Sequence, residues 1–194
     1  MLIILIIIIT IIKRYIMNST KVILKNVRFS YVYVFTKDNN DKYSCSLLID
    51  KNDPQVEEVK AAIQAAVNQG AAVLGPGFKL DVSKVLHDGD EKDDPNYRGH
   101  WYLNAKSKNK PGVVKKNSSG MGGKTTDITD ESEFYSGCYG AASVNFFAFN
   151  QGVNKGISCG LNNVLKLSDG PFLGGRSSAE SDLGDLCADV DDIC

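Results

Sequence analysis

The sequence has few of the residues on which catalytic and metal sites depend. It has two histidines, His87 and His100, and neither has a serine, cysteine or metal-ligand partner in the local pattern. Its five cysteines are odd in number and form no CxxC pair, so neither a disulfide framework nor a zinc site is predicted. We therefore expect a protein that is not an enzyme and that holds no metal or other cofactor.

The cysteines instead have the pattern of small core residues. Cys45 and Cys159 fall on apolar positions of predicted strands. This placement favours buried free thiols in a reducing cytoplasm.

No apolar run in the sequence is long enough to cross a bilayer. Residues 2–12 are almost all apolar and are followed by Lys13 and Arg14, whereas a spanning helix needs about 20 residues. The basic segment and the cleavage site of a secretory signal are absent. Because Met17 opens a polar start, we expect residues 1–16 to precede the natural start, with a weak membrane-association segment as the alternative. Stable membrane insertion is not expected.

Length and charge predict one domain with tails. A chain of 194 residues that is 43% hydrophobic can bury one ordinary core. The formal net charge is -1, but residues 180–194 contain six acidic residues and no lysine or arginine, which leaves a net +5 on residues 1–179. A basic body (17–179) with an acidic tail (180–194) indicates an anionic ligand, for whose site the tail can compete.

Strand patterns account for most of the body. Residues 20–50, 134–150 and 155–167 are rich in β-branched and aromatic residues that alternate with polar ones. One helix is predicted over about 54–69, with Asp53 as its N-cap. The sequence therefore predicts a mainly β fold with one inserted helix.

The stretch from Tyr97 to Lys124 joins an aromatic strand to a basic loop. Strand alternation predicts that Trp101, Leu103 and Ala105 face a core. The opposite face then carries His100, Tyr102, Asn104, Lys106 and Lys108.

The loop that follows this strand is strongly cationic. From residue 104 to residue 124 there is no Asp or Glu. Phosphates need cations along a groove, and unpaired bases need rings to stack on, each ring contributing about 1–3 kcal/mol. This favours a nucleic-acid surface, and a solvated loop beside an edge strand is the alternative. The lysines of the stretch are Lys106, Lys108, Lys110, Lys115, Lys116 and Lys124.

A second aromatic strand lies near residue 147. Val144, Phe146 and Ala148 alternate with Asn145, Phe147 and Phe149. Because Asn145 marks an open face, Phe147 and Phe149 are candidate stacking rings beside Tyr102. The alternative is that both rings lie under a loop or at a homodimer contact.

Two shorter motifs carry little weight. The run DGDEKDD at residues 88–94 has five carboxylates but lacks the spacing of a calcium loop, so a solvated loop is expected. The segment GGKTT at residues 122–126 is similar to the end of a P-loop, but Ser118 stands where the first glycine should be. Nucleotide hydrolysis is therefore not predicted.

Three longer stretches occur in an order that resembles a known family. They are DGDEKDDPNYRGHWYLNAKSKNKPGVV, FYSGCYGAASVNFFAFNQ and KGISCGLNNVLKLSDGPFLGGRSSAE. From about Met17 to Glu180 the chain resembles phage and prophage single-stranded-DNA-binding proteins. The resemblance implies an OB-fold, a five-stranded barrel with an inserted helix, that binds single strands without sequence preference in phage replication or recombination, in the cytoplasm of a bacterial host.

The resemblance also implies a function for the acidic tail. Such tails contact replication or recombination proteins and compete with DNA for the groove. The matching residues here are Asp189, Asp191, Asp192 and Ile193. The chain departs from the family at Cys194, where these tails usually end in an aromatic residue.

We therefore predict a non-enzymatic single-stranded-DNA-binding protein. The alternative is a structural or adaptor protein that uses the β domain and the tail for protein contacts. Trp101 is retained as a stacking candidate because barrel strands twist and bulge, although its strand phase indicates the core. The predicted stacking residues are Trp101, Tyr102, Phe147 and Phe149. The predicted phosphate-binding residues are Lys106, Lys108, Lys110, Lys115 and Lys116, with Arg98, Lys155 and Arg176 as further candidates.

Overall fold

The computed structural model describes residues 19–117 and 124–173. The predicted N-terminal extension, the acidic tail and Arg176 lie outside this part, so the expectations about them stay predictions. The strands are β1 (Lys21–Tyr33), β2 (Tyr43–Asp50), β3 (Leu86–Asp88), β4 (His100–Ser107), β5 (Gly112–Lys116), β6 (Thr125–Asp127), β7 (Tyr139–Gln151) and β8 (Asn154–Ser168). The helices are α1 (Gln55–Gln69) and α2 (Ala71–Leu74), and short 3-10 turns cover Val82–Lys84, Gly89–Glu91, Pro95–Tyr97 and Glu131–Glu133.

Five of the strands close into a barrel. The strand order is β3-β4-β2-β1-β7-β8-β5-β6, and β4 also pairs with β8 in parallel. This seam joins Ala105 to Cys159 and Lys106 to Gly160. The circuit β1-β2-β4-β8-β7 is the five-stranded OB barrel, so the predicted fold class is confirmed.

The core fills the inside of this barrel, as strand alternation predicts. Leu103 and Ala105 of β4 are fully buried, and so are Val144 and Phe146 of β7. Outward positions alternate with them along both strands. The barrel therefore has one apolar interior and an outer surface of polar and aromatic side chains.

Strand β1 bends sharply, so its two ends pair with different strands. Its first half pairs with β7 and its second half with β2. The register shifts between Leu24 and Val27, and Asn26 and Tyr31 have positive φ values of 57° and 47°. Such irregularities bend a strand and redirect its side chains.

Helix α1 lies between β2 and β4 in the chain and packs against β1 and β7. It begins at Gln55, so the predicted helix is present, but its N-cap is Pro54 and not Asp53, and no side chain caps it. Asp53 lies one residue earlier, and its carboxylate accepts the Gln55 N–H at 2.8 Å. Gly70 follows the helix at a close contact, since a Cβ there would lie 2.2 Å from the Cβ of Ala148. The buried face consists of Val56, Val59, Ala62, Ile63, Ala65 and Ala66.

Two of the three buried thiols among the described residues are those that the strand phases predict. Cys45 and Cys159 are buried and free, as is Cys138. Burial raises the pKa of the Cys159 thiol to about 12 and also raises the pKa of Cys45, so both thiols stay protonated at neutral pH. In the described part of the chain, no helix has the length and apolar character needed to cross a membrane.

Candidate nucleic-acid interface

An open groove of about 380 Å³ crosses the outer face of β1, β2 and β4. Its floor is polar because Ser44 and Ser46 of β2 and Asn104 and Lys106 of β4 line it. Ser46 pairs with Asn104 in the ladder and donates its hydroxyl to the Asn104 side-chain oxygen at 2.8 Å. The groove is lined by Tyr31, Tyr33, Asp38, Asn39, Asn40, Ser44, Cys45, Ser46, Lys92, Tyr102, Asn104 and Lys106.

One wall of the groove is the β1–β2 loop, which Asp38 fastens to the floor. The Asp38 carboxylate accepts hydrogen bonds from the Asn40 and Lys42 N–H groups and from the Ser44 hydroxyl, at 2.8, 3.1 and 3.0 Å. Desolvation raises the pKa of Asp38, but these hydrogen bonds outweigh it and hold the pKa below its ordinary value. The loop is therefore held by an ionised carboxylate that accepts three hydrogen bonds from the chain.

The opposite wall is aromatic and surrounds one lysine. The Lys92 Nζ atom lies 4.5, 3.5 and 5.4 Å from the ring centroids of Tyr31, Tyr97 and Tyr102. We call these three rings the tyrosine cage. The rings of Tyr97 and Tyr102 meet edge to face at 5.0 Å, so the cage is a packed unit.

Tyrosine rings differ in how much of them solvent can reach. Tyr31 and Tyr33 are 53% and 42% exposed. Tyr102 is half-buried and is stacked with His87, with ring centroids 4.9 Å apart. Burial lowers the pKa of His87, so this imidazole is neutral at pH 7. Tyr31 and Tyr33 therefore offer the more accessible surfaces for a base.

Three of the predicted lysines lie together at one end of the groove. Lys106 lines the groove, and Lys108 and Lys110 are exposed just beyond the end of β4. The Lys110 Nζ atom lies 5.8 Å from the ring centroid of Phe35, at the start of the β1–β2 loop. The structure thus places a cationic strip where β4 leaves the barrel.

The predicted ring Phe147 lies on the surface that continues from this strip around the barrel. It is 45% exposed on the outer face of β7 and lies against Gly160, which pairs with Lys106 across the seam. Phe149 lies further along β7, against Gly156. Because glycine has no side chain, both rings rest directly on the backbone of β8.

Other predicted residues lie away from the groove. Trp101 packs on the core side of β4, with the Lys51 Nζ atom 5.1 Å from its ring centroid. Lys155 donates to the Leu74 carbonyl at the end of α2, at 3.0 Å. Arg98 is exposed in the turn before β4. DNA contact by these side chains stays a prediction.

The β5–β6 hairpin carries the two remaining predicted lysines of the described chain. Lys115 forms an ion pair of 2.5 Å with Glu133. Lys116 is exposed and pairs with Thr125 in the ladder. The charge of Lys115 is therefore partly neutralised within the chain, whereas DNA binding by both lysines stays a prediction.

Three of the five carboxylates in residues 88–94 bind other groups of the same chain. Asp88 and Asp90 both form ion pairs of 2.5 Å with Lys51. Hydrogen bonds from Lys51 lower the pKa values of both carboxyls. Asp94 accepts the Asn96 N–H at 3.0 Å. These ion pairs and this hydrogen bond stabilise the segment, in which Lys92 lies beside the groove.

Several groove residues could not be singled out from the sequence. Tyr31, Tyr33 and Lys92 line the groove, but no motif or alternation in the sequence assigns them to it. The only signal for the two tyrosines was the aromatic alternation of β1, and for Lys92 it was a single cation within an acidic run.

A closed five-stranded barrel with a groove of tyrosines and lysines across β2 and β4 belongs to the OB-fold class. The family model described as Enterobacter phage Enc34, ssDNA-binding protein, matches residues 20–194. The chain belongs to this family of phage ssDNA-binding proteins, which confirms the resemblance found in the sequence.

One further phage protein and two solved structures are similar to this chain. The chain is 29% identical over 185 residues to protein p50 of Acyrthosiphon pisum secondary endosymbiont phage 1, covering 86% of this chain and 94% of that protein. The single-stranded DNA-binding protein of bacteriophage Enc34 superposes with a TM-score of 0.68 at 22% identity, over 84% of this chain and 89% of the other. The same phage protein in complex with ssDNA gives 0.66 at 22% identity, over 80% and 90%. These structural likenesses show the fold.

Proposed function

We propose that this protein binds single-stranded DNA without sequence preference, in phage DNA replication or recombination, through the groove on β1, β2 and β4. One observation carries the proposal: exposed tyrosine rings and lysine ammonium groups line the same open groove of an OB barrel. Its membership of a family of phage ssDNA-binding proteins supports it. The function is non-enzymatic and belongs in the cytoplasm of the bacterial host.

The chemistry of the groove fits a single strand. Every base has a π-face, so stacking on Tyr31 or Tyr33 would hold any base, with about 1–3 kcal/mol per stacked base. Lys106, Lys108 and Lys110 would then neutralise the phosphates and release counterions. In this arrangement affinity comes from rings and charges that all sequences share.

The strand would leave the groove across the seam. Lys106 and Gly160 form one pair of the seam, and Phe147 covers Gly160. We propose that the DNA passes over this point towards Phe147 and then Phe149. Trp101, Arg98, Lys115, Lys116 and Lys155 stay predicted contacts outside this path. Contact by Arg176, which is not among the described residues, and the homodimer stay predictions as well.

The tail proposal rests on charge and on the family resemblance. Residues 180–194 hold six acids, against a net charge of +5 on residues 1–179. We propose that Asp189, Asp191, Asp192 and Ile193 contact replication or recombination proteins and compete with DNA for the groove. Deletion of residues 180–194 should leave DNA binding equal or tighter. Weaker DNA binding after the deletion would contradict the competition.

The central experiment is a salt titration with labelled oligonucleotides. We expect the chain to bind a poly-dT strand tightly, with an affinity that falls as salt rises. Replacing Lys106, Lys108 and Lys110 with Glu should weaken binding strongly and flatten the salt dependence. The matched control carries the same charge change at Lys60, Lys79 and Lys84, which do not line the groove.

Each outcome has a definite meaning. If both triple variants lose affinity equally, net charge and not the groove governs binding. An RNA strand and a duplex of the same length show whether single-stranded DNA is preferred. If no nucleic acid binds at low salt, the adaptor function replaces the present proposal.

A further inference from the structure

Lys92 lines the groove wall, and its ammonium group contacts aromatic rings and no carboxylate among the described residues. It lies within the acidic run 88–94, yet among the described residues no ion pair joins it to a carboxylate. Its neighbour Lys51 takes the carboxylates of Asp88 and Asp90 instead. The charge of Lys92 therefore remains available to an anion in the groove.

The tyrosine cage fixes where this charge lies. The Lys92 Nζ atom is 3.5 Å from the ring centroid of Tyr97, which is fully buried, and Tyr31 and Tyr102 lie to the sides. Ring faces attract a cation but do not satisfy its N–H donors as a carboxylate would. The cage thus positions the ammonium and leaves donors for a further partner.

The position of Lys92 matches what a strand in the groove would need. Lys92 and Lys106 both line the groove, together with Tyr31 and Asn104. Tyr31 is 53% exposed, so a base can reach its ring while Lys92 remains next to it. The phosphate of that nucleotide would then meet the ammonium of Lys92.

We propose that Lys92 is a phosphate-binding residue of the groove, held in position by the tyrosine cage. The inference rests on the proposed function, because it names one contact of the same DNA site. It adds a residue from an acidic run to the cationic path that starts at Lys106. The phosphate bound there belongs to the nucleotide whose base stacks on Tyr31.

The test compares Lys92→Gln, Lys92→Arg and Lys60→Gln with the unaltered chain. For single strands, each phosphate contact contributes about 0.7 to the magnitude of the slope of log affinity against log salt concentration. One contact therefore changes the affinity about fivefold when the salt concentration changes from about 0.1 M to about 1 M. Lys92→Gln should lower the slope by that amount, and Lys92→Arg should preserve it. Lys60 is on α1 and is paired with Glu57, so Lys60→Gln should change nothing.

Lysine acetylation gives a second readout on the unaltered protein. A bound dT oligonucleotide should protect Lys92 from acetic anhydride and leave Lys60 equally reactive. An unchanged slope in Lys92→Gln, or equal acetylation of Lys92 with and without DNA, would overturn the inference while wild-type binding keeps the proposed function. Absence of salt-dependent binding by the unaltered chain would instead refute the proposed function itself.

Discussion

Phe146 and Phe147 are adjacent in β7, but their side chains lie on opposite faces of the barrel. Phe146 is fully buried in the core and Phe147 is 45% exposed on the proposed DNA path. Replacing Phe146 with Ala should cost about 3–5 kcal/mol of the free energy of unfolding, because a large buried ring leaves a cavity. Replacing Phe147 with Ala should cost about 0.5 kcal/mol or less, as for other surface sites.

The effects on DNA binding should be reversed. Loss of a stacked ring removes about 1–3 kcal/mol, which corresponds to a decrease in affinity of roughly 5- to 150-fold for Phe147→Ala. Phe146→Leu, a milder core change that keeps the chain folded, should bind DNA like the unaltered protein. Urea denaturation measures the first quantity, and fluorescence anisotropy of a labelled dT strand measures the second.

Two results would refute this reasoning. If Phe147→Ala binds DNA with unchanged affinity, the proposed strand path over β7 is wrong. If Phe147→Ala destabilises the chain as much as Phe146→Ala does, the ring is a core or interface residue. In the second case a concentration-dependent molar mass would identify the homodimer contact.

Three further predictions concern stability and reactivity. Gly140→Ala should destabilise by about 1–3 kcal/mol, because its Cβ would lie 1.9 Å from the Leu165 carbonyl oxygen, and an unchanged urea midpoint would contradict this contact. Lys51 lowers the pKa of Asp88, so the stabilisation by this ion pair is present above the ordinary carboxyl range and is lost as pH falls through the folded pKa. Asp88→Asn should therefore be less stable than the unaltered chain at pH 7, and the difference in the free energy of unfolding should shrink as the pH is lowered into the acid range. A difference that does not shrink would refute the importance of the ion pair. Burial of Cys159 predicts that a thiol reagent labels it only after denaturation, as peptide mapping can check, and fast labelling of the native chain would argue against the closed barrel.

Much of the barrel could be predicted because β4 and β7 alternate between buried and outward positions. The phases of β4 and β7 separated core from surface at every position from Leu103 to Lys106 and from Val144 to Phe147. The helix and the buried Cys45 and Cys159 followed from equally local patterns. Local patterns suffice where each side chain's environment depends on the phase of its own strand.

The rest of the site depends on contacts between distant residues. Tyr31 reaches the groove because β1 bends at positive φ angles, which no alternation rule contains. The pairing of Lys115 with Glu133 joins residues that are 18 positions apart, and Lys155 meets the Leu74 carbonyl 81 positions away. The absence of Asp and Glu from residues 104–124 therefore predicted more unpaired positive charge than the structure has, because Lys115 pairs with an acid outside that range.

Because the strands that close the barrel come last in the chain, the barrel can close only near the end of synthesis. The groove is built from β1, β2 and β4, all of which precede residue 108, whereas the strands that close the barrel, β7 and β8, begin at Tyr139. A chain emerging from the ribosome thus presents the groove residues before β1 can pair with β7 or β4 with β8. Such long-range pairings form late and slowly. The nascent protein should acquire DNA affinity only after the final hairpin has been synthesised, and not in proportion to its length.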